Sequence, residues 1–263
     1  MTLLAEGADV LHRVVTRRSL DPRVIFTPAQ RADWPHRYPR GWRVGSRVYQ
    51  QLKRTRQRRY ATLYRRFGAF TMHSEKDYCD NLALADDVRD VTGTIVECGT
   101  WKGGMIAGIA ALLGPERHYY LFDSYEGLPP AGSLDKDLYG QSGREWQAAT
   151  THNDRATLED AQAAMRLAGV PHVTITKGWF ADTLPAYAGG PIALLRCDGD
   201  WYQSTMDTLT AIEPNVTAGG LIVFDDYYYW EGCAKAVHDY LSRTQSSAVI
   251  RTSPGGYAYI RKP

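Results

Sequence analysis

A chain of 263 residues, 44% hydrophobic and 23% charged with a net charge of +2, is long enough for one large core and carries no charge imbalance that commits it to nucleic acid or membrane. Glu6, Asp9, His12 and Arg13 interrupt the first twenty residues, and no later segment approaches membrane-spanning length, so a cytoplasmic protein with no membrane partner is expected. Four separated cysteines, Cys79, Cys98, Cys197 and Cys233, make no Cys-x-x-Cys and no zinc-type spacing, so reduced thiols are expected, with Cys98 and Cys197 inside core strands.

Residues 34–74 contain no acidic side chain and are dense in arginine, among them Arg54, Arg56, Arg58, Arg59, Arg65 and Arg66. Tyr49, Leu52, Tyr60, Leu63, Tyr64 and Phe67 recur among them at roughly helical spacing, which predicts an amphipathic helix with a basic outer face. Such a helix packs on the main domain or on a second subunit; the competing reading is nucleic-acid binding, which rests on this segment alone. From Ser74 a second helix is predicted. Ser74 and Asp77 have the spacing of a capping box, and Tyr78, Leu82, Ala85 and Val88 supply an apolar face.

Beyond it, short apolar runs at 94–98, 119–122, 172–176, 192–197 and 221–224 read as strands, and helices are expected at 105–113, 154–168, 202–213 and 233–242. Continuous apolar strands alternating with helices imply a doubly wound, mostly parallel α/β sheet covered on both faces. Two late strands, 248–251 and 257–261, are expected to form an antiparallel hairpin at the sheet edge.

In such sheets ligands bind outside the carboxyl ends of the strands. The run from Ile95 to Gly104 passes from a strand through a glycine-rich turn into a helix, with Gly99, Gly103 and Gly104 allowing close backbone approach. The spacing is not G-x-G-x-x-G, and Glu97 would repel the phosphates of a dinucleotide yet suits the amino group of a methionine moiety. The turn therefore favours S-adenosylmethionine over NAD, with tight packing as the alternative reason for the glycines. Asp123, ending the second strand 26 residues after Glu97, is placed to accept ribose hydroxyls, unless it is a loop or cap aspartate. After the third strand, Gly178 allows close approach, and Trp179 or Phe180 either covers an adenine face or packs in the core.

The fourth strand ends Arg196-Cys197-Asp198-Gly199-Asp200 and the fifth Phe224-Asp225-Asp226. Asp198, Asp225 and Asp226 thus fall at one edge of neighbouring strands, where a hard divalent cation, magnesium first, is the economical neutraliser. Asp200 and Gln203 have capping-box spacing, so Asp200 is assigned to capping the following helix. The ion would acidify and orient an acceptor hydroxyl, and Asp198 or a nearby carboxylate would take its proton. No catalytic role is assigned to His73, His152 or His238.

Together these motifs resemble the macrocin O-methyltransferase (TylF-like) family. The resemblance is carried in order by Thr71-Met72 with Asn81-Leu82, Glu97 through Gly104, Phe122 through Pro129, Gly178-Trp179-Phe180 with Thr183-Leu184-Pro185, Leu195 through Tyr202 with Ser204-Thr205, and Gly219-Gly220 through Asp225-Asp226-Tyr227. It implies a class I methyltransferase fold using S-adenosylmethionine and Mg2+ on sugar hydroxyls of glycosylated natural products. A catechol-type acceptor is the second reading. The cofactor set implied is Thr71, Met72, Glu97, Cys98, Gly99, Thr100, Gly103, Asp123, Ser124, Gly178, Trp179, Phe180 and Asp198. The metal set is Asp198, Asp225 and Asp226, with Asp198 as base. His73-Ser74-Glu75 departs from the family's apolar, glycine-containing continuation after Thr71-Met72.

The expected organisation is a helical extension over 1–70, holding acceptor or oligomer contacts in a homodimer or higher homo-oligomer, and a methyltransferase domain over 71–263. The polar stretch 130–153 is either a lid over the acceptor or an exposed loop.

Overall fold

The computed structural model describes residues 39–150 and 156–263. The arginine-rich segment is a helix, α1 (Pro39–Phe67). In its last turns Leu63 and Phe67, four residues apart, are buried while Arg65 and Arg66 are exposed, as a 3.6-residue period requires. Contacts divide the chain into two compact units, residues 1–62 and 63–263, and the sheet belongs to the second. No described helix is long and apolar enough to cross a membrane.

After α2 (Glu75–Asp86) the chain alternates: β1 (Thr94–Cys98), α3 (Gly104–Leu113), β2 (Tyr119–Asp123), α4 (Gly143–Ala149), α5 (Leu158–Ala168), β3 (Val173–Lys177), the short α6 (Phe180–Thr183), β4 (Ile192–Cys197), α7 (Tyr202–Ile212), β5 (Val216–Phe224), α8 (Glu231–Arg243), β6 (Ile250–Thr252) and β7 (Ala258–Arg261). The seven strands lie in the order β3-β2-β1-β4-β5-β7-β6. The first five are mutually parallel, and β7 pairs antiparallel with both β5 and β6. The expected edge hairpin is therefore present, inserted with β7 next to the parallel strands.

Three of the differences from the sequence reading have local reasons. Strand β5 begins at Val216 rather than 221, because Gly219 and Gly220 are absorbed as an irregularity in the β4–β5 register instead of ending the strand. Helix α5 starts at Leu158, where Thr157 and Asp160 form a reciprocal capping box; residues 154 and 155 of the predicted helix lie outside the described residues. The polar stretch after Pro130 contains α4, opened by a second capping box between Ser142 and Glu145.

Register places the chemistry. Cys98, Cys197 and Phe224 stand abreast on β1, β4 and β5. The ladder continues one step past them, the Asp198 amide donating to the Cys98 carbonyl at 2.8 Å and the Asp225 amide to Cys197 at 3.0 Å. Gly99, Asp198 and Asp225 thereby form a row across the carboxyl edge, at the point where strand order reverses between β1 and β4. A Cβ on Gly99, whose φ is 88°, would lie 1.6 Å from the Asp198 carbonyl oxygen, so only glycine lets these two chain segments meet.

Helix α2 docks on α3 through Tyr78, whose buried hydroxyl donates to the Gly104 carbonyl at 2.8 Å. A Cβ on Gly108 would lie 1.7 Å from that hydroxyl oxygen. Gly108→Ala is expected to lower stability by about 2 kcal/mol through overpacking, despite alanine's better helix propensity. Urea unfolding of the purified protein measures this, and an unchanged or higher midpoint contradicts it.

Candidate active site

Successive strand residues alternate faces, and paired residues on neighbouring strands share one. Glu97 pairs with Arg196, and Arg196 with Val223. Glu97, Arg196 and, two residues on, Asp198 and Asp225 therefore project to the same side of the sheet. The Arg196 guanidinium, 2% exposed, is the centre of this group. Its Nε donates to Asn81 Oδ1 of α2 at 3.3 Å. One terminal nitrogen donates to Glu97 Oε1 at 2.9 Å and Asp198 Oδ2 at 2.5 Å. The other contacts His73 Nε2 at 2.7 Å and donates to Asp225 Oδ1. An arginine has five N–H donors in a fixed fork, and here all five have partners.

The surroundings shift the protonation of each partner. Burial, only partly opposed by Arg196, pushes Glu97 up to about 8. Burial and then the Arg196 charge hold His73 down at about 4, so its Nε2 is a neutral acceptor for the guanidinium. Burial raises Asp225 against the opposing pull of Arg196. Asp200 and Asp226 are pushed up by burial and by nearby carboxylates. Glu97 Oε2 is the one buried side-chain polar atom among the described residues without a hydrogen-bond partner.

The ligand atoms of Asp198, Asp200 and Asp226 lie within 4.8 Å of one another, as do those of His73, Asp198 and Asp225. Arg196 already bridges the second group. The first is an all-oxygen set, the donor chemistry that suits Mg2+ or Ca2+. Asp200 does not cap α7, contrary to the sequence reading. Its backbone turns back at a φ of 56°, its carboxylate accepts from the Trp230 indole at 3.0 Å, and its amide donates to Asp226 Oδ2 at 3.0 Å. The first amide of α7, that of Tyr202, is instead satisfied by Asp135 Oδ1 at 2.8 Å. Spacing alone cannot reveal a cap supplied by a loop 67 residues away.

A cavity of about 520 Å³ gathers Gly99, Asp123, Ser124, Gly178, Trp179, Phe180 and Asp198. The remaining cofactor candidates do not line it. Thr71 and Met72 precede His73, and Met72 is 77% exposed. The Cys98 side chain belongs to the core, with all four cysteines free. Thr100 bonds Asp123 and Tyr125. Gly103, at a φ of 78°, would carry a Cβ 3.0 Å from Ala161 Cα, so its lack of a side chain lets α5 pack closely. Asp123 Oδ2 accepts from the Thr100 and Trp101 amides at 2.7 and 2.8 Å, and Oδ1 from the Tyr125 amide at 2.8 Å. These bonds oppose the upward push of burial on its pKa and tie the glycine turn to the end of β2. Ser124 Oγ donates to the Gly127 carbonyl and accepts from the Glu126 amide.

The far wall of the cavity is Pro130 and Gly132–Asp135, the start of the polar stretch. Three indoles fasten it: Trp146, Trp201 and Trp230 meet edge to face with centroids 4.6–6.2 Å apart. Trp201 Nε1 also donates to the Pro129 carbonyl at 2.9 Å. Residues 151–153 of this stretch, with His152, lie outside the described residues. His238 bonds the Tyr227 hydroxyl at 2.8 Å.

The macrocin-O-methyltransferase (TylF) family profile matches residues 10–261. The chain is also 36% identical over 192 residues to the 8-demethyl-8-(2,3-dimethoxy-alpha-L-rhamnosyl)-tetracenomycin-C 4'-O-methyltransferase of Streptomyces olivaceus, covering 70% of each. This chain belongs to the macrocin O-methyltransferase family. It is 31% identical to the demethyldecarbamoylnovobiocin O-methyltransferase of Streptomyces niveus, over 59% of this chain and 60% of the relative. The solved structure of the O-methyltransferase NovP superposes with a TM-score of 0.61 at 28% identity, over 73% of this chain and 82% of NovP. That of the calicheamicin methyltransferase CalS11 gives 0.57 at 28%, over 73% and 80%. The fold of this family is thus the α/β methyltransferase sheet described above.

Sequence reasoning missed Arg196 and His73 as site residues. The available signal was one charge of each sign, Glu97 and Arg196, each one step from the end of an otherwise apolar strand. Replacing Arg196 by methionine leaves the buried Glu97 and the half-buried Asp225 without their cation, and is expected to cost about 3–5 kcal/mol; chemical denaturation reads the loss, and a variant as stable as the parent contradicts the pairing. A second outcome concerns pH. Glu97, Asp200 and Asp225 bind protons more tightly folded than unfolded, so their contribution is full at low pH and is lost as pH rises toward about 8. His73 acts oppositely, but only below about 6.5. Between about pH 6.5 and 8 the metal-free protein should therefore show a falling thermal midpoint, flattened by Glu97→Gln; a midpoint that rises across that window contradicts the assignment.

Proposed function

We propose that this chain transfers a methyl group from S-adenosylmethionine to a sugar hydroxyl of a glycosylated natural product, with a divalent cation, Mg2+ first, at the Asp198 carboxylate group. The observation that carries the reading is the convergence of the Gly99 turn, Asp123, Ser124, the Gly178–Phe180 segment and Asp198 on one cavity. Family membership and the rhamnosyl acceptor in the name of the Streptomyces olivaceus relative support the acceptor class. No nucleic-acid partner is proposed.

When bound, the cofactor supplies an electrophilic methyl group and the ion a Lewis acid that acidifies a hydroxyl. The protein's own residues do the rest. Asp198 lines the cavity with Oδ2 fixed by Arg196, leaving Oδ1 to accept the acceptor's proton as general base. The methyl group would pass to the acceptor oxygen with cleavage of the carbon–sulfur bond, which would leave S-adenosylhomocysteine and the acceptor's proton on Asp198. Asp198, Asp200 and Asp226 would offer oxygen ligands to the ion, and Asp225, which accepts from Arg196 through Oδ1, would be the further carboxylate available to it. Glu97 Oε2, buried and without a partner, fits a cationic donor such as the methionine ammonium. Gly99, Asp123 and Ser124 set the position of the cofactor, while the indole-fastened wall over the cavity excludes water from the reacting atoms.

Mass spectrometry of rhamnosides and other glycosides incubated with enzyme and S-adenosylmethionine should show gain of one methyl group, abolished by excess chelator and restored by Mg2+. Asp198→Asn is expected to lose at least about 100-fold in turnover while still binding S-adenosylhomocysteine. Full activity in chelator removes the metal from the mechanism, near-parental turnover of Asp198→Asn removes the base, and methylation of catechols but not glycosides replaces the acceptor.

A further inference from the structure

One face of the cavity has groups that the mechanism above does not use. Gln203 and Asp207 lie four residues apart on α7, hence on one face of the helix, and both line the cavity with Trp179 and Phe180. Gln203 Nε2 donates to Asp207 Oδ1 at 2.7 Å. The carboxylate is thus oriented by its neighbour, and no bond among the described residues engages its Oδ2. Phe180 lies against the same end of the helix: a Cβ on Gly199 would be 3.1 Å from the ring's Cε2 and 3.0 Å from Ser204 Cβ. Glycine at 199 is what lets the ring edge reach the first turn of α7.

An aromatic ring and an oriented carboxylate that line one cavity with the Asp123 end of β2 are complementary to a flat heteroaromatic group carrying an exocyclic amine. The ring stacks and the amine donates. Resting on the cofactor reading above, we propose that Asp207, held by Gln203, accepts a hydrogen bond from the exocyclic amine of the cofactor's purine and is a specificity-determining residue for the methyl donor. A 6-amino purine presents N–H donors at that edge. A 6-oxo purine presents a carbonyl oxygen there, which a carboxylate repels. A carboxylate placed at the 6-position penalises the analogue whose only donor on that edge has moved to N1–H, because its own polar group then faces a carbonyl oxygen and is left unpaired.

The test is isothermal titration of the full-length protein with S-adenosylhomocysteine and with S-inosylhomocysteine, which differ only at that edge. Wild type should bind the adenosyl ligand at least about tenfold tighter than the inosyl ligand. Asp207→Ala should weaken the adenosyl ligand by about tenfold and leave the inosyl ligand nearly unchanged. Asp207→Asn is isosteric and partly exposed, and it carries the test even if the alanine variant folds poorly. Its amide can donate to the inosyl carbonyl, so the preference should collapse or invert. Gln203→Leu should weaken the adenosyl ligand less, in the same direction. Strong adenosyl binding by wild type with the same adenosyl-to-inosyl ratio in Asp207→Asn overturns this assignment and leaves the cofactor reading standing. Failure of wild type to bind S-adenosylhomocysteine overturns both.

Discussion

The buried Arg196 guanidinium is the interaction on which the rest of the site depends. Burying a full positive charge is tolerable only when it is paired and its donors are satisfied, and five partners from four chain segments meet that demand: Asn81, Glu97, Asp198, His73 and Asp225. The same bonds fix the two carboxylates that face the chemistry, at the ends of β4 and β5. One cation does not balance the whole carboxylate group, however. Asp200 and Asp226 are half-buried beside Asp198 with backbone and indole donors but, among the described residues, no cationic side chain bonded to them. Burial first, and then the neighbouring carboxylates, raise their pKa values, and the divalent ion proposed above would offset both. In the proposed function the site thus has two cationic positions, Arg196 built into β4 and an ion supplied from solution.

Sheet register and loop packing convert this electrostatic plan into a cavity. The Gly99–Asp198 approach sets the floor. Asp123 ties the glycine turn to β2 through three amides. Asp135 performs the matching task on the opposite wall: it accepts from the Gly132 and Tyr202 amides, joining the covering segment to the start of α7. A Cβ on Gly232 would come within 2.1 Å of Asp135 Oδ1, so α8 closes against the same carboxylate. The three-indole cluster then gives the covering segment an apolar anchor of its own, which accounts for ordered structure in a stretch whose composition is polar.

Much of this was legible in the sequence because strands leave strong local signals. The runs ending at Cys98 and Cys197 were bounded correctly, and Asp123, Asp198, Asp225 and Asp226 fell at carboxyl ends as expected. The Ser74 cap was equally readable, since a cap and its helix are local. What failed was non-local. The spacing of Asp200 and Gln203 imitates a capping box, but the strained turn after Gly199 sends Asp200 toward Trp230, and a distant aspartate takes over the cap. Arg196 was hidden inside an apolar strand, where its role depends on which strand lies alongside. The helix α4 was obscured because its stability comes from a capping box and from Trp146 packing on indoles remote in sequence.

We propose that Arg196 neutralises one half of the carboxylate group and a divalent ion the other. Anomalous scattering from crystals of the protein grown with S-adenosylhomocysteine and Mn2+ addresses it directly. The expected result is an ion bonded to carboxylate oxygens of Asp198 and Asp226, with Arg196 still paired to Glu97 and Asp225. An ion bound instead at His73 with the guanidinium displaced, or no ordered ion at saturating Mn2+, would contradict it.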